Sequence, residues 1–344
     1  MIWLTWRQFR LQALTALGLL TAIAAAFAFT GGNLAHLYDT SGLGSCAAGD
    51  QCATAMDAFF RGVKADSAYP VLYFAGIGLL YLGTAVVGMF WGAPLVTKEL
   101  EAGTFRLSWT QSVTRVRWLA LKLGVGAVAA MTVAGLLGWV LTWWTGPIDR
   151  ADGLPGSQDQ GLPNHFNQLI FGARGVVPIG YAAFAFVLGV TLGVLVRKTV
   201  PAMAATLAVF IVVQAGVPTL VREHYATPAH TSQVLVVKDG EHNLQFTDTG
   251  VSAPFDIPGA WVTSVRYVDT AGRDYHGPLP ASCGPGTEAD CFAAINQLHL
   301  RQEADYQPAS RFWRFQWTEL GLYLAMSLAL AGFCTWRIRH LRLN

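Results

Sequence analysis

The chain has 344 residues, of which 53% are hydrophobic and only 13% charged, with a formal net charge of +2. Ordinary soluble domains carry about a quarter charged residues, so a water-soluble globule is excluded: too little polar surface is present to cover this much apolar side chain. The small net charge averages long uncharged stretches, short basic patches and longer acidic loops, and so identifies no partner.

Residues 1–10 open the chain with Trp3-Leu4-Thr5-Trp6-Arg7-Gln8-Phe9-Arg10. Amphipathic rings and snorkelling arginines suit a headgroup layer, which makes this an interfacial segment. A bilayer core of about 30 Å needs roughly 20 apolar helical residues. Leu11–Thr30, Val71–Val96, Leu121–Trp144, Val176–Val196, Pro201–Val221 and Thr318–Trp336 meet that length and lack the polar face of a soluble helix. The expected fold is therefore an all-α membrane protein with six transmembrane helices. The first stretch also resembles a signal peptide, with Ala26-Phe27-Ala28 as a cleavage site, but it is long for such a segment, and a retained span is favoured.

Lys and Arg set the orientation. With the N-terminus inside, the inner segments hold Arg7, Arg10, Lys98, Arg106, Arg115, Arg117, Lys122, Arg197, Lys198, Arg337, Arg339 and Arg342, against two inner acids, Glu99 and Glu101. This asymmetry places both termini in the cytoplasm. The remaining acids lie outside, apart from Glu319 near the start of the last span, a few residues after Arg314. Intramembrane charge is thus almost absent, which disfavours an ion-coupled carrier.

The outer loops carry Gly31–Tyr69, a Gly-, Pro- and Asp-rich stretch from Gly146 to about Gly175, and the long segment Arg222–Phe312. That last segment, residues 222–312, is large enough to fold. It predicts a hairpin from Val234–Val237 to Leu244–Phe246 across an Asp-Gly turn, a strand over Trp261–Val268, and a helix from Glu288 capped by Thr287 with Phe292, Ile295 and Leu298 on one face. The expectation is a small mixed α/β extracytoplasmic insertion between spans five and six. Cys46 and Cys52 share the first outer loop, and Cys283 and Cys291 the last. Two close pairs on the oxidising side read as local disulfides. Residues 313–344 then form the sixth span and a basic C-terminal tail.

No G-x-x-x-x-G-K-[ST], H-E-x-x-H or G-x-S-x-G motif occurs, so no catalytic residue is assigned and the chain does not read as an enzyme. The histidines sit mostly in outer loops without ligand-like spacing, and no metal site is expected. Spans two to four are rich in glycine, with small-xxx-small pairs at Gly88/Gly92 and Gly189/Gly193 that permit close helix approach.

The inner loop over residues 97–118 stands apart because it holds the only inner acids. Gly103-Thr104 can end one helix and cap the next. Phe105 and Trp109 offer apolar anchors, and Arg106 and Arg115 charges for an acidic partner. Physics alone leaves two readings of this loop, a docking surface or an amphipathic connector on the membrane.

This loop resembles the permease subunits of type 2 ABC exporters, a bacterial family whose second span ends in acid-x-acid-x-Gly-Thr, followed by a Leu-rich segment, Pro-x-x-Arg and a Lys. Glu99, Glu101, Gly103 and Thr104 match the first part, Arg115 the arginine and Lys122 the lysine; Ser112 stands where proline is usual. The six-span layout with the main insertion before span six also fits. The resemblance implies a multi-pass permease of the cell membrane that exports an amphipathic or apolar compound such as a drug, antibiotic, lipid or lipopeptide. A separately encoded ATPase subunit would dock on Glu99, Glu101, Gly103, Thr104, Arg106 and Arg115, a second permease copy would complete the transporter, and ATP and Mg would bind the partner, leaving no cofactor in this chain. Spans two and five would line the path, with Tyr81, Phe90, Phe210 and Gln214 as candidate lining residues. The alternative is a membrane-anchored sensor or binding module working through residues 222–312. No nucleic-acid partner is indicated.

Overall fold

A computed structural model describes residues 2–46, 50–102, 114–154, 162–236, 245–247, 250–252, 255, 257–275, 277, 280–283 and 288–340. Among these, six helices are long and apolar enough to cross a membrane: Gly18–Thr40, Ala68–Glu99, Val116–Trp144, Val177–Val196, Thr199–Tyr225 and Ala309–Arg339. All six stretches expected from the sequence are helical, and most helices run on beyond the apolar run itself. The first, α1, is continuous over Ile2–Thr40. It absorbs both the expected interfacial segment and part of the expected outer loop. Ala26-Phe27-Ala28 lies in the middle of this helix, with Phe27 buried edge-on against Trp144 at 5.1 Å. Trp144 Nε1 donates to the Thr30 hydroxyl at 2.9 Å.

The rest of the first loop folds as α2, Asp50–Ala65. Met56, Phe59, Phe60 and Val63 are buried at helical spacing and close over the end of α1. The Cys46–Cys52 disulfide ties α2 to the turn that follows α1. Span two comprises α3, Ala68–Val86, a π-helical turn over Val87–Gly92, and α4, Ala93–Glu101. Span three is α5, Arg115–Trp144, whose N-terminus is capped where the Thr114 hydroxyl accepts from the Arg117 amide at 3.3 Å. The Gly-, Pro- and Asp-rich stretch, expected as loop, contains α6, Gly146–Asp152, and α7, Gln168–Phe171. Pro147 sits in the first turn of α6, where its missing N–H costs nothing.

Span four, α8 over Val177–Val196, is the axis of the bundle and is buried along almost its whole length. Spans two, three, five and six pack around it. Span five is α9, Thr199–Gly216, followed by a π-helical turn at Val217–Val221 and a 3₁₀ turn at Arg222–Tyr225. Span six is α11, Phe312–Arg339. At one end of the bundle Val96, Trp118, Val194 and Ile338 share a cluster with neighbouring apolar residues. This basic end carries Lys98, Arg117, Lys122, Arg197, Lys198, Arg337 and Arg339. At the opposite end Phe166, Phe171, Phe312, Phe315 and Tyr225 pack together.

Between spans five and six the chain forms a small mixed unit. Its three-stranded antiparallel sheet has the order β1 (Ala229–Val234), β5 (Arg301–Gln307), β4 (Trp261–Val268). A helix, α10 over Glu288–Gln297, buries Phe292 and Ile295 with Leu235 and Leu300, and the Cys283–Cys291 disulfide fastens its first turn. Strand β4 and this helix lie where the sequence expected them; Thr287 lies outside the described residues. The expected hairpin requires correction. Residues 237–244 lie outside the described residues, but Gln245–Thr247 (β2) pairs with Gly250–Ser252 (β3), while β1 pairs with β5 far along the chain. The Asp-Gly signal is local, and β5 (RQEADYQ) is too polar to have announced itself as a strand.

The two small-xxx-small pairs meet each other. A Cβ on Gly88 would sit 2.7 Å from Ala185 O, one on Gly92 2.5 Å from Phe186 O, and one on Gly193 2.8 Å from Ala93 O. A Cβ on Gly189 would strike the carbonyl of Gly88. Spans two and four therefore cross backbone to backbone, which only glycine allows. Replacing Gly189 by Val is expected to destabilise the fold by about 1–3 kcal/mol or more through overpacking. Gly78→Ala, whose Cβ would meet nothing, is expected to leave it intact; thermal unfolding in detergent compares the two.

Candidate functional site

Polar clusters interrupt the apolar bundle at both ends. At the basic end, span two finishes in Thr97, Lys98, Glu99 and Glu101. Glu99 forms an ion pair with the buried Lys122 of span three, whose ammonium also lies 4.5 Å from the Trp118 ring centre. Glu101 reaches the other way. Its Oε1 accepts from the Thr199 amide at 2.8 Å, and its Oε2 accepts from the Thr199 hydroxyl at 2.7 Å. Thr199 begins α9, where backbone amides lack partners inside the helix, so Glu101 caps span five from span two. The Thr199 hydroxyl also lies 3.0 Å from that of Thr97.

These bonds hold the Glu101 carboxyl below the usual range, the hydroxyl contributing most and the amide next. The cap is therefore charged at neutral pH; its contribution is lost only as pH falls through that lowered value. The two acids of the acid-x-acid pair thus face two different spans of their own chain. Of the other residues assigned to this surface, Gly103, Thr104 and Arg106 lie outside the described residues, as does Ser112. Arg115 opens α5. The stretch between Ala102 and Thr114 therefore leaves from the very turn that Glu99 and Glu101 clamp.

At the opposite end, Arg222 and Glu319 are both fully buried, each with 0% of its side chain exposed. The guanidinium grips the carboxylate as a fork, Nε to Oε2 at 2.8 Å and Nη2 to Oε1 at 2.9 Å. Arg222 Nη1 donates to Gln168 O at 2.8 Å, and the guanidinium lies 4.3 Å from the Phe171 ring centre. Tyr181 donates to Glu319 Oε1 at 2.5 Å, and Tyr225 lies 3.4 Å from Oε2. One turn before Glu319, Gln316 accepts from the amides of Val176 (3.0 Å) and Val177 (3.1 Å) and donates to Phe171 O at 2.9 Å. It caps span four from span six, as Glu101 caps span five from span two.

The four candidate path residues divide. Tyr81 donates to Leu169 O at 2.9 Å and its ring lies 6.0 Å from that of Tyr181. Gln214 accepts from Tyr323 at 3.0 Å. Both border the Arg222–Glu319 cluster. Phe210 is 3% exposed and packs in the core around span four, whereas Phe90 is 50% exposed on the surface of span two.

Arg222 is among the residues the sequence reading misses, as is Arg174, buried and paired with Asp149 at 3.5 Å. The position of Arg222 at the end of an apolar run assigned it to the outer segment, and Glu319 was set beside Arg314. A lone carboxylate in an apolar helix demands a buried cation, and that demand was the available signal. Breaking a buried pair from one side strands a charge. Glu319→Ala is thus expected to cost about 3–5 kcal/mol, and Arg222→Met combined with Glu319→Leu much less. Unfolding of the single and double variants measures the difference.

The comparisons bear on the same region. Neither the curated proteins nor the solved structures gave a match. The family model described as ABC-2 membrane transporter related matches residues 17–222, from the first span to Arg222, and takes in both acids and the glycine crossing. The protein is a multi-pass membrane chain that belongs to the ABC-2 membrane transporter related family.

Proposed function

We infer that this chain is the permease subunit of an ATP-driven exporter in a bacterial cell membrane, with its basic end and both termini in the cytosol. The observation that supports this most directly is the double clamp at the end of span two. Glu99 holds span three and Glu101 holds span five, so a push on the segment between Ala102 and Thr114 reaches three spans at once. A separately encoded ABC ATPase docks on that segment, with Gly103, Thr104, Arg106 and Arg115 at the contact and Glu99 and Glu101 behind it. ATP and Mg belong to the ATPase; this chain supplies the lever.

The cargo is an amphipathic or apolar compound. Between the two polar clusters the spans carry no charged residue, and a charged cargo would find no counter-charge there. A second permease copy completes the path. Large apolar side chains on spans two and five are exposed in the single chain, among them Phe90, Val200, Val212 and Leu220, and of the four candidate lining residues Phe90 faces outward while Tyr81 and Gln214 belong to the outer polar cluster. The mixed unit between spans five and six lies on the extracytoplasmic side, where its disulfide is stable.

The test uses the permease reconstituted in vesicles with the ATPase encoded beside it. Glu101→Ala combined with Arg115→Ala is expected to abolish stimulation of ATP hydrolysis by cargo while leaving membrane insertion unchanged. Undiminished cargo efflux from the double variant contradicts the coupling role.

A further inference from the structure

Residues 162–167 form a strap between α6 and α7 that three parts of the protein grip. Tyr73 of span two donates to Pro163 O at 2.9 Å. Asn164 Nδ2 donates at 2.8 Å to Ala260 O, in the mixed unit. Phe166 is fully buried, its ring 5.6 Å from that of Phe312 on span six and 6.1 Å from that of Trp261 on β4. The strap is thus a joint between the mixed unit and the bundle.

His165 stands inside that joint. Its ring lies 4.9 Å from that of Phe312, and a Cβ on Gly259 of the mixed unit would sit 3.5 Å from its Cε1. Its Nδ1 lies 3.5 Å from Oδ2 of Asp152, the last residue of α6, with 17% and 8% of the two side chains exposed. Of the three histidine–acid pairs among the described residues, this one alone is removed from water. In the other two, His224–Glu223 and His230–Asp305, the imidazole is 74% exposed, and solvent screens such pairs.

The charges around the pair are committed elsewhere. Asp149 of α6 faces Arg174 at 3.5 Å, and Arg150 lies over the Tyr38 ring at 4.9 Å. At the approach to span six, Arg311 donates to Thr227 O and Gln307 Oε1, and Arg314 is exposed. Gly259 and Ala260 bring no charge from the mixed unit. Burial pushes the Asp152 carboxyl above its ordinary range, with the His165 imidazole opposing the rise and Asp149 adding to it. A carboxyl raised in this way favours the closed joint while protonated and weakens it once ionised. A protonated imidazole beside the carboxylate offsets that cost. Histidine is the side chain whose charge changes between about pH 5 and 8.

We propose that His165 and Asp152 form a pH-responsive latch, in which acidification of the medium on their side of the membrane fastens the mixed unit to the bundle. The imidazole takes one proton from the medium, the Asp152 carboxylate gains a counter-charge, and the strap tightens on Ala260 and Phe312. The latch needs no ATPase and no cargo, so its test is independent of the export reading. The full-length protein in detergent is followed by hydrogen exchange and mass spectrometry at pH 8 and pH 6, corrected for the intrinsic exchange rate. Protection of peptides covering residues 162–171 and 257–268 is expected to rise severalfold at pH 6, while that of 288–297 in α10 stays the same. His165→Gln and Asp152→Asn are each expected to abolish the pH dependence. Wild-type protection at 162–171 that is equal at the two pH values, or lower at pH 6, overturns the proposal without any variant. A wild-type pH dependence retained in His165→Gln overturns it as well.

Discussion

The first amides of a helix have no partner within the helix itself, and this chain meets that constraint by capping one span from another. The carboxylate of Glu101 on the amide and hydroxyl of Thr199 is the clearest case. Span five begins directly after the short Arg197-Lys198 turn, and the amide of its first residue, Thr199, is satisfied from span two. The same solution recurs where Gln316 of span six accepts from Val176 and Val177 at the start of span four. Each cap fixes the position of a helix end relative to a helix distant in sequence. Polar groups that isolated helices would leave unsatisfied become joints between spans.

These joints matter because the rest of the bundle is held by packing that resists bending. The crossing of Gly88 and Gly92 with Gly189 and Gly193 brings two backbones into contact, with no long side chains to absorb a shift. Span two is consequently fixed to span four in the half nearer the basic end and to spans three and five at its last turn. At the far end the Arg222–Glu319 fork, roofed by Tyr181 and Phe171, locks span five to span six. Among the described residues, the turn that ends in Glu101 is thus tied to spans three, four and five.

Much of this was legible in the residues. The six spans followed from apolar length, both disulfides from cysteine spacing within loops, and strand β4 and helix α10 from alternation and capping signals. The acid-x-acid-x-Gly-Thr run pointed to the family that the model match then showed. What stayed hidden was long-range pairing. Nothing local to Glu101 names Thr199, 98 residues away, and nothing local to Glu319 names Arg222. Helix α6 escaped because its Gly, Pro and Asp read as turn residues, although the same residues suit a helix start. Strand β5 escaped because its buried positions are Gln302, Ala304 and Gln307, two of them polar and the last out of step with a period of two.

The central claim is that spans two and five are one mechanical unit at the basic end. Spin labels at the exposed positions Lys98 and Lys198, read by pulsed electron resonance in the complex with the ATPase, measure their separation directly. The account predicts a single narrow distance that stays the same when ATP is bound, and a broadened one when Glu101 is replaced by Ala. A separation that changes on ATP binding in the unmutated protein would contradict it.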